Sequence, residues 1–256
     1  MEFIDTHTHL SDEAFATDCD ALIAKAFEVG VVTMILPGTS LDELPAQKAL
    51  AARHPERLKM FLGIHPTELG ADTEATIDAV ERELAANRNL YVGIGEIGID
   101  LHEATNIEAQ MRAFDRQCRL AIAAGLPINI HCRDGLDATL EVLQGLPEMP
   151  QGAFHCFGGT SADVEKIRRT GDFYFGINGI VTFKNSGLRE TLPSIGLNRI
   201  ILETDAPYLA PTPFRGKRND SSYIPLIAQT IADTLNVSLQ AVADTTTASA
   251  RSLYNL

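Results

Sequence analysis

The chain predicts an α/β fold, a closed (β/α)8 barrel of the TIM type, as a single domain spanning 1–256. Three observations carry this. Short apolar runs alternate with helical patterns from end to end, which makes a series of βαβ units. The runs are nearly continuous in apolar residues, as strands covered on both faces must be, so the sheet is parallel. Eight such runs occur in 256 residues, and about 250 residues is the usual length of an eightfold barrel. The rival is an open doubly wound sheet, which needs a Gly-rich phosphate loop after its first strand; THTHLSD is not one.

The elements follow in order. FIDTH (3–7) is the first strand, and 17–29 the first helix, with Cys19, Leu22, Ile23 and Ala26 on one stripe. VVTMILPG (31–38) precedes a helix at 41–53, and LKMFLGIHP (58–66) one at 73–87. NLYVGIGEIG (89–98) leads to a helix at 107–124, where Met111, Phe114, Cys118, Ala121 and Ile122 share a stripe and Gly125 stops it. LPINIHC (126–132) is followed by 135–145, QGAFHCF (151–157) by 161–170, and DFYFGING (172–179) by 186–196. RIILETDAP (199–207) is the eighth strand, and helices at 222–235 and 238–254 follow, broken at 236–237. No linker, low-complexity tract or short repeat divides the chain.

Net charge is −13, from 21 basic and 34 acidic residues. That argues against a broad electrostatic coat on nucleic acid, but not against a narrow grip on one or two phosphates. Bound divalent cations would reverse the local sign. No apolar run is long enough for a membrane helix and no signal-peptide pattern opens the chain, so a cytoplasmic protein without a membrane partner is expected. The four cysteines, Cys19, Cys118, Cys132 and Cys156, form no C-x-x-C pair and read as reduced thiols. Strand alternation turns Cys132 away from His131 and Cys156 away from His155.

Polar residues collect at the C-terminal ends of the strands, where a barrel builds its active site. His7 and His9 come from the first strand, His65 from the third, Glu96 from the fourth, His131 from the fifth, His155 from the sixth and Asp205 from the eighth. Only His54 and His102, of seven histidines, fall elsewhere. A carboxylate inside the apolar GIGEIG run is costly unless it is paired or ligates a cation. Leaving His65 aside, four imidazoles and two carboxylates suffice for two divalent ions sharing a bridge. Mixed nitrogen and oxygen donors suit zinc, manganese or similar ions.

The pieces FIDTHTHL, GIHP, GEIGID, HCRD, HCFGG, GIVTFKN and ETDAPYLAP followed by FRGKRND run from residue 3 to residue 220. As a set they resemble the TatD family of metal-dependent hydrolases, in the wider amidohydrolase-like barrel group. The resemblance implies a dinuclear site: His7, His9, Glu96 and Asp205 on one ion; Glu96, His131 and His155 on the second; Glu96 as bridge. It also implies 3′–5′ exodeoxyribonuclease or related phosphodiesterase activity, with zinc, magnesium or manganese as cofactor. The expected partner is a single-stranded nucleic acid end or a small phosphoester.

Divalent ions lower the pKa of a water toward neutrality and neutralise phosphoryl oxygens. Asp205 is the expected general base, one oxygen ligating while the other accepts the proton. Asp5 is read either as a residue orienting His7 or as a turn partner. For phosphate contacts the candidates are His65, Arg133 and the basic loop of Arg215, Lys217 and Arg218. Tyr208 and Tyr223 either stack on a base or pack. An amidohydrolase cleaving a C–N or carboxyl-ester bond is the alternative. Many dinuclear members of that group bridge with a carbamylated lysine, and here Glu96 occupies the fourth-strand position. A non-enzymatic metal-binding module is the third possibility, and nothing in the sequence favours it.

Overall fold

Residues 1–103 and 106–256 are described by the computed structural model. Eight parallel strands pair in chain order: β1 (Phe3–Asp5), β2 (Val31–Leu36), β3 (Leu58–Leu62), β4 (Tyr91–Asp100), β5 (Ile128–Arg133), β6 (Gly152–Phe154), β7 (Tyr174–Ile177) and β8 (Ile200–Leu202). The sheet closes where Thr6 N–H donates to Leu202 O (2.9 Å) and Thr8 bridges Ala206. Helices α1 (Cys19–Glu28), α2 (Leu44–Arg53), α3 (Thr73–Asn87), α4 (Ile107–Ala124), α5 (Leu136–Gln144), α6 (Ser161–Thr170), α7 (Leu188–Ile195), α8 (Ile224–Leu235) and α9 (Leu239–Tyr254) cover its outer face.

Side chains alternate along a strand, and this divides the core in two. Met34 and Leu36 pack outward against the helices, whereas Ile35 joins Ile4, Phe61, Ala153 and Ile201 inside the barrel. From α9, Ala250, Leu253 and Tyr254 complete the inner cluster, beside the strands' N-terminal ends. That mouth is plugged with apolar groups, which leaves the polar residues the other mouth.

Helix ends follow local chemistry. Asn106 caps α4 by accepting from Ala109 N–H, and Gly125 ends it in the left-handed region (φ 61°). Thr160 and Asp163 form a reciprocal capping box on α6. Those two helices and α3 have the expected bounds.

Strand ends differ more from expectation. The expected strands 3–7, 58–66, 151–157 and 199–207 shorten to β1, β3, β6 and β8, and 31–38 and 172–179 shorten to β2 and β7. Near the rim the ladder gives way to single bonds, such as Asp205 N–H to His7 O (2.9 Å) and His155 N–H to Ile130 O (3.0 Å). β4 and β5 instead run past the expected 98 and 132, pairing Gly98 with His131 and Asp100 with Arg133. Glu96 and His131 therefore lie inside their strands, not at the ends. The residues at 89–90 fall in a 3-10 turn, Arg88–Leu90.

Candidate metal centre

Glu96 is buried and stands at the middle of the polar mouth. Its Oε2 lies 3.2 Å from His7 Nε2; its Oε1 lies 2.7 Å from His131 Nδ1, 3.0 Å from His155 Nε2 and 3.5 Å from His65 Nε2. Asp205 approaches from the opposite wall, with Oδ1 3.3 Å from His9 Nε2 and 3.8 Å from His7 Nε2. His7 and His9 bring their Nε2 atoms within 3.3 Å, and the rings of His7 and His155 stack at 3.8 Å. In each of three donor sets the ligand atoms lie within 4.8 Å of one another: His7, Glu96 and His155; His7, His9 and Asp205; His65, Glu96 and His131. The seven residues expected at the rim thus meet in one place, including His65, which sequence reasoning left out of the ligand set.

Further side chains set how the imidazoles point. Asn129 Oδ1 lies 3.0 Å from His7 Nδ1. An amide oxygen only accepts, so Nδ1 carries the proton and Nε2 keeps its lone pair for the centre. Asp100 Oδ2 lies 2.9 Å from His131 Nε2, so that ring presents Nδ1 instead. Glu203 Oε1 accepts from Cys156 N–H (2.6 Å) and lies 3.4 Å from His155 Nδ1. Such outer partners fix ring orientation and raise ligand basicity. Asn129, Asp100 and Glu203 were missed by sequence reasoning. Strand parity was the available signal: Asn129 is two residues before His131, Glu203 two before Asp205, and Asp100 four after Glu96.

Gly95 and Gly176 make room for two of these groups. A Cβ on Gly95 would lie 2.5 Å from Asn129 Cβ, and one on Gly176 would lie 2.6 Å from the Glu203 carboxylate carbon. Asp5 is fully buried and receives Thr204 N–H (2.9 Å), the Thr204 hydroxyl (2.6 Å) and His7 N–H (3.3 Å). It ties β1 to the segment after β8 and touches the backbone of His7. Burial pushes its carboxyl up to about 7.

The electrostatics are those of carboxylates enclosed by imidazoles. Burial alone would raise the Glu96 pKa, but His155, His65 and His7 outweigh it and hold it well below the usual range. Burial would lower that of His155, yet Glu96 and Glu203 hold it well above the ordinary value. For Asp205, burial is opposed by the hydrogen bond with His9 and by His155, and the net shift is downward. Burial takes His65 down to about 4. The donors fit divalent ions: imidazole nitrogens with lone pairs oriented by Asn129 and Asp100, and carboxylates held ionised, are the ligand types that borderline cations take.

The expected phosphate contacts are placed as follows. Arg133 Nη1 donates to Glu103 (2.8 Å). Arg218 clasps Asp18 (3.1 Å from Nη1 to Oδ1), bonds Ala14 O, and lies over the Phe15 ring. Arg215 covers the Phe183 ring at 4.4 Å. Lys217 is exposed. Tyr223 stacks on Phe214 at 4.5 Å, and Tyr208 stands at the edge of His9. The four cysteines are free thiols; Cys132 meets Thr139 and Cys156 meets Asn178.

Residues 4–255 match the model of a family described as TatD related DNase. The chain is 36% identical over 260 residues to the 3′–5′ ssDNA/RNA exonuclease TatD of Enterobacter lignolyticus, with 98% of each chain covered. It is 32% identical over 255 residues to an uncharacterized metal-dependent hydrolase, YabD, of Bacillus subtilis, again with 98% of each covered. Its backbone superposes on the crystal structure of YjjV, a TatD homolog from Escherichia coli K12, with a TM-score of 0.90 at 27% identity, covering 99% of this chain and 98% of that one.

Proposed function

The chain belongs to the TatD family of metal-dependent hydrolases, and from that premise we propose that it is a divalent-metal-dependent phosphodiesterase, a 3′–5′ exonuclease acting on single-stranded nucleic acid ends. The observation that carries this is the position of Glu96, whose two oxygens point to different imidazole groups as a bridging carboxylate must. His7, His9, Glu96 and Asp205 would hold one ion, and Glu96, His131 and His155 a second, with zinc, magnesium or manganese as the candidates. When bound, such ions supply positive charge that acidifies water and offsets charge on phosphoryl oxygens.

The protein's own groups supply the rest. Asp205 is the general base: its carboxylate stands at the centre beside His9 and His7, where one oxygen can ligate while the other takes the proton of the attacking water. Glu96 keeps the imidazoles on both sides in place. His65, neutral at physiological pH because burial lowers it to about 4, offers a ring N–H to a substrate oxygen. Of the basic side chains expected to contact phosphate, Lys217 is exposed, whereas Arg133 and Arg218 reach a phosphate only by leaving Glu103 and Asp18. We place the protein in the cytoplasm, in keeping with its four free thiols; among the described residues, no helix is long and apolar enough to cross a membrane.

The test is hydrolysis of end-labelled single-stranded DNA and RNA, with N-acyl amino acids in parallel, after loading with magnesium, manganese or zinc. The proposal expects stepwise shortening from the 3′ end, lost in Asp205→Ala by at least about 100-fold, the scale of a general base. Turnover of the N-acyl substrates alone would favour the amidohydrolase alternative and overturn the proposal.

A further inference from the structure

Resting on that exonuclease reading, we propose that Tyr208 is the platform on which the terminal base of a single strand stacks as its phosphodiester enters the centre. The need for one comes from the charges at the mouth. Arg218 is paired with Asp18 and Arg133 with Glu103, Arg215 lies over the face of Phe183, and Lys217 is left as the exposed cation of the basic loop. The chain as a whole carries 34 acidic against 21 basic residues. Ionic grip on the strand beyond the scissile phosphate is therefore limited to a few side chains, and a contact that needs no charge would add to it.

Tyr208 has the required properties. It is 55% exposed, and its ring centroid lies 6.0 Å from that of His9. Among the described residues the other large exposed aromatic is Phe27, and the Arg57 guanidinium lies over its ring at 4.1 Å. Thus Tyr208 is an exposed aromatic side chain at the polar mouth, and among the described residues no cation lies on its face. Its backbone is pinned. Tyr208 N–H donates to Asp205 O (2.9 Å), and the fully buried Asn219 sends Nδ2 to Tyr208 O (2.7 Å) and to Thr204 O (2.9 Å). On the far side, the Leu209 carbonyl fills the space that Gly179 leaves by lacking a Cβ. An exposed ring on a rigid backbone loses little entropy when a ligand stacks on it.

The chemistry also suits the surroundings. Stacking needs no charge and every base has a π face, so the contact tolerates sequence. It does require a base free of its complement. A platform here therefore selects single-stranded or frayed ends and leaves the choice of base open.

The experiment compares two labelled oligonucleotides that differ only at the terminal residue, one carrying a base and the other an abasic tetrahydrofuran unit. Metal-loaded wild type, Tyr208→Phe and Tyr208→Leu are assayed on both. Wild type and Tyr208→Phe are expected to show a KM about tenfold lower for the base-bearing end, the order of one base–aromatic stack. Tyr208→Leu, which keeps an apolar side chain beside His9, should lose that ratio through a higher KM on the base-bearing strand, with kcat little changed. Quenching of a terminal 2-aminopurine on binding should follow the same pattern. Equal KM values for the two ends in wild type, or a ratio retained in Tyr208→Leu, would overturn the platform while leaving the exonuclease intact. Failure of wild type to cleave either strand would overturn the function and the platform with it.

Discussion

Replacing Gly176 with alanine tests whether the centre depends on packing behind it. Gly176 belongs to β7, and its added Cβ would lie 2.6 Å from the Glu203 carboxylate carbon, against about 3.5–4 Å for ordinary contact. Glu203 is fully buried, accepts from Cys156 N–H at 2.6 Å, and lies 3.4 Å from His155 Nδ1. Its carboxylate must therefore move by about an ångström, and both contacts move with it. Losing a hydrogen bond to a buried charge costs about 1.5–3 kcal/mol, and overpacking a core about 1–3 kcal/mol more. Together these amount to about 2.5–6 kcal/mol, a large part of the roughly 5–15 kcal/mol that holds a domain folded. The melting temperature should fall by about 10 °C. Urea denaturation of the metal-free protein measures the stability change. Calorimetric metal titration measures the effect on His155, expected as a roughly 10- to 100-fold loss of affinity at the weaker step. A Gly176→Ala protein within about 1 kcal/mol of wild type, with unchanged metal binding, would refute the link from β7 through Glu203 to His155.

Asp100→Asn keeps the shape of the group beside His131 Nε2 but removes its charge; metal affinity should fall about 10-fold or more while the circular dichroism spectrum is unchanged. Chelation should abolish hydrolysis and leave the far-ultraviolet spectrum intact, because the two apolar clusters include none of the candidate ligands; unfolding on chelation would contradict this. Burial, then the Asp20 carboxylate, pushes the Cys19 thiol up to about 11. Its thiolate is therefore scarce at pH 8, and the rate of iodoacetamide alkylation should still be rising about tenfold per pH unit between pH 9 and 10. A plateau near pH 9 in a variant retaining only Cys19 would show that its environment is misread.

The order and type of the elements were legible because they rest on local chemistry. The stripe of Met111, Phe114 and Cys118 and the stop at Gly125 are properties of neighbouring residues, and α4 has the expected bounds. The convergence of His7, His9, Glu96, His131, His155 and Asp205 could also be anticipated, since a parallel barrel sends every strand's C-terminal end to one mouth. Strand ends were less legible. They depend on where one segment stops pairing with the next, and a single chain segment does not carry that information. His65 was expected at the rim as a phosphate contact and left out of the ligand set, yet folding carries its Nε2 to Glu96.

The sequence by itself thus determined the barrel, the alternation that builds it and the set of polar residues at its open mouth. Only the tertiary structure decided what each polar group faces. Asn129 reaches His7 across 122 positions of chain, Arg218 reaches Asp18 across 200, and Thr204 reaches Asp5 across 199. The physical reason is range. Periodicity and capping act over a few residues, whereas the proton on an imidazole and the partner of a guanidinium are set by groups that become neighbours only when the sheet closes.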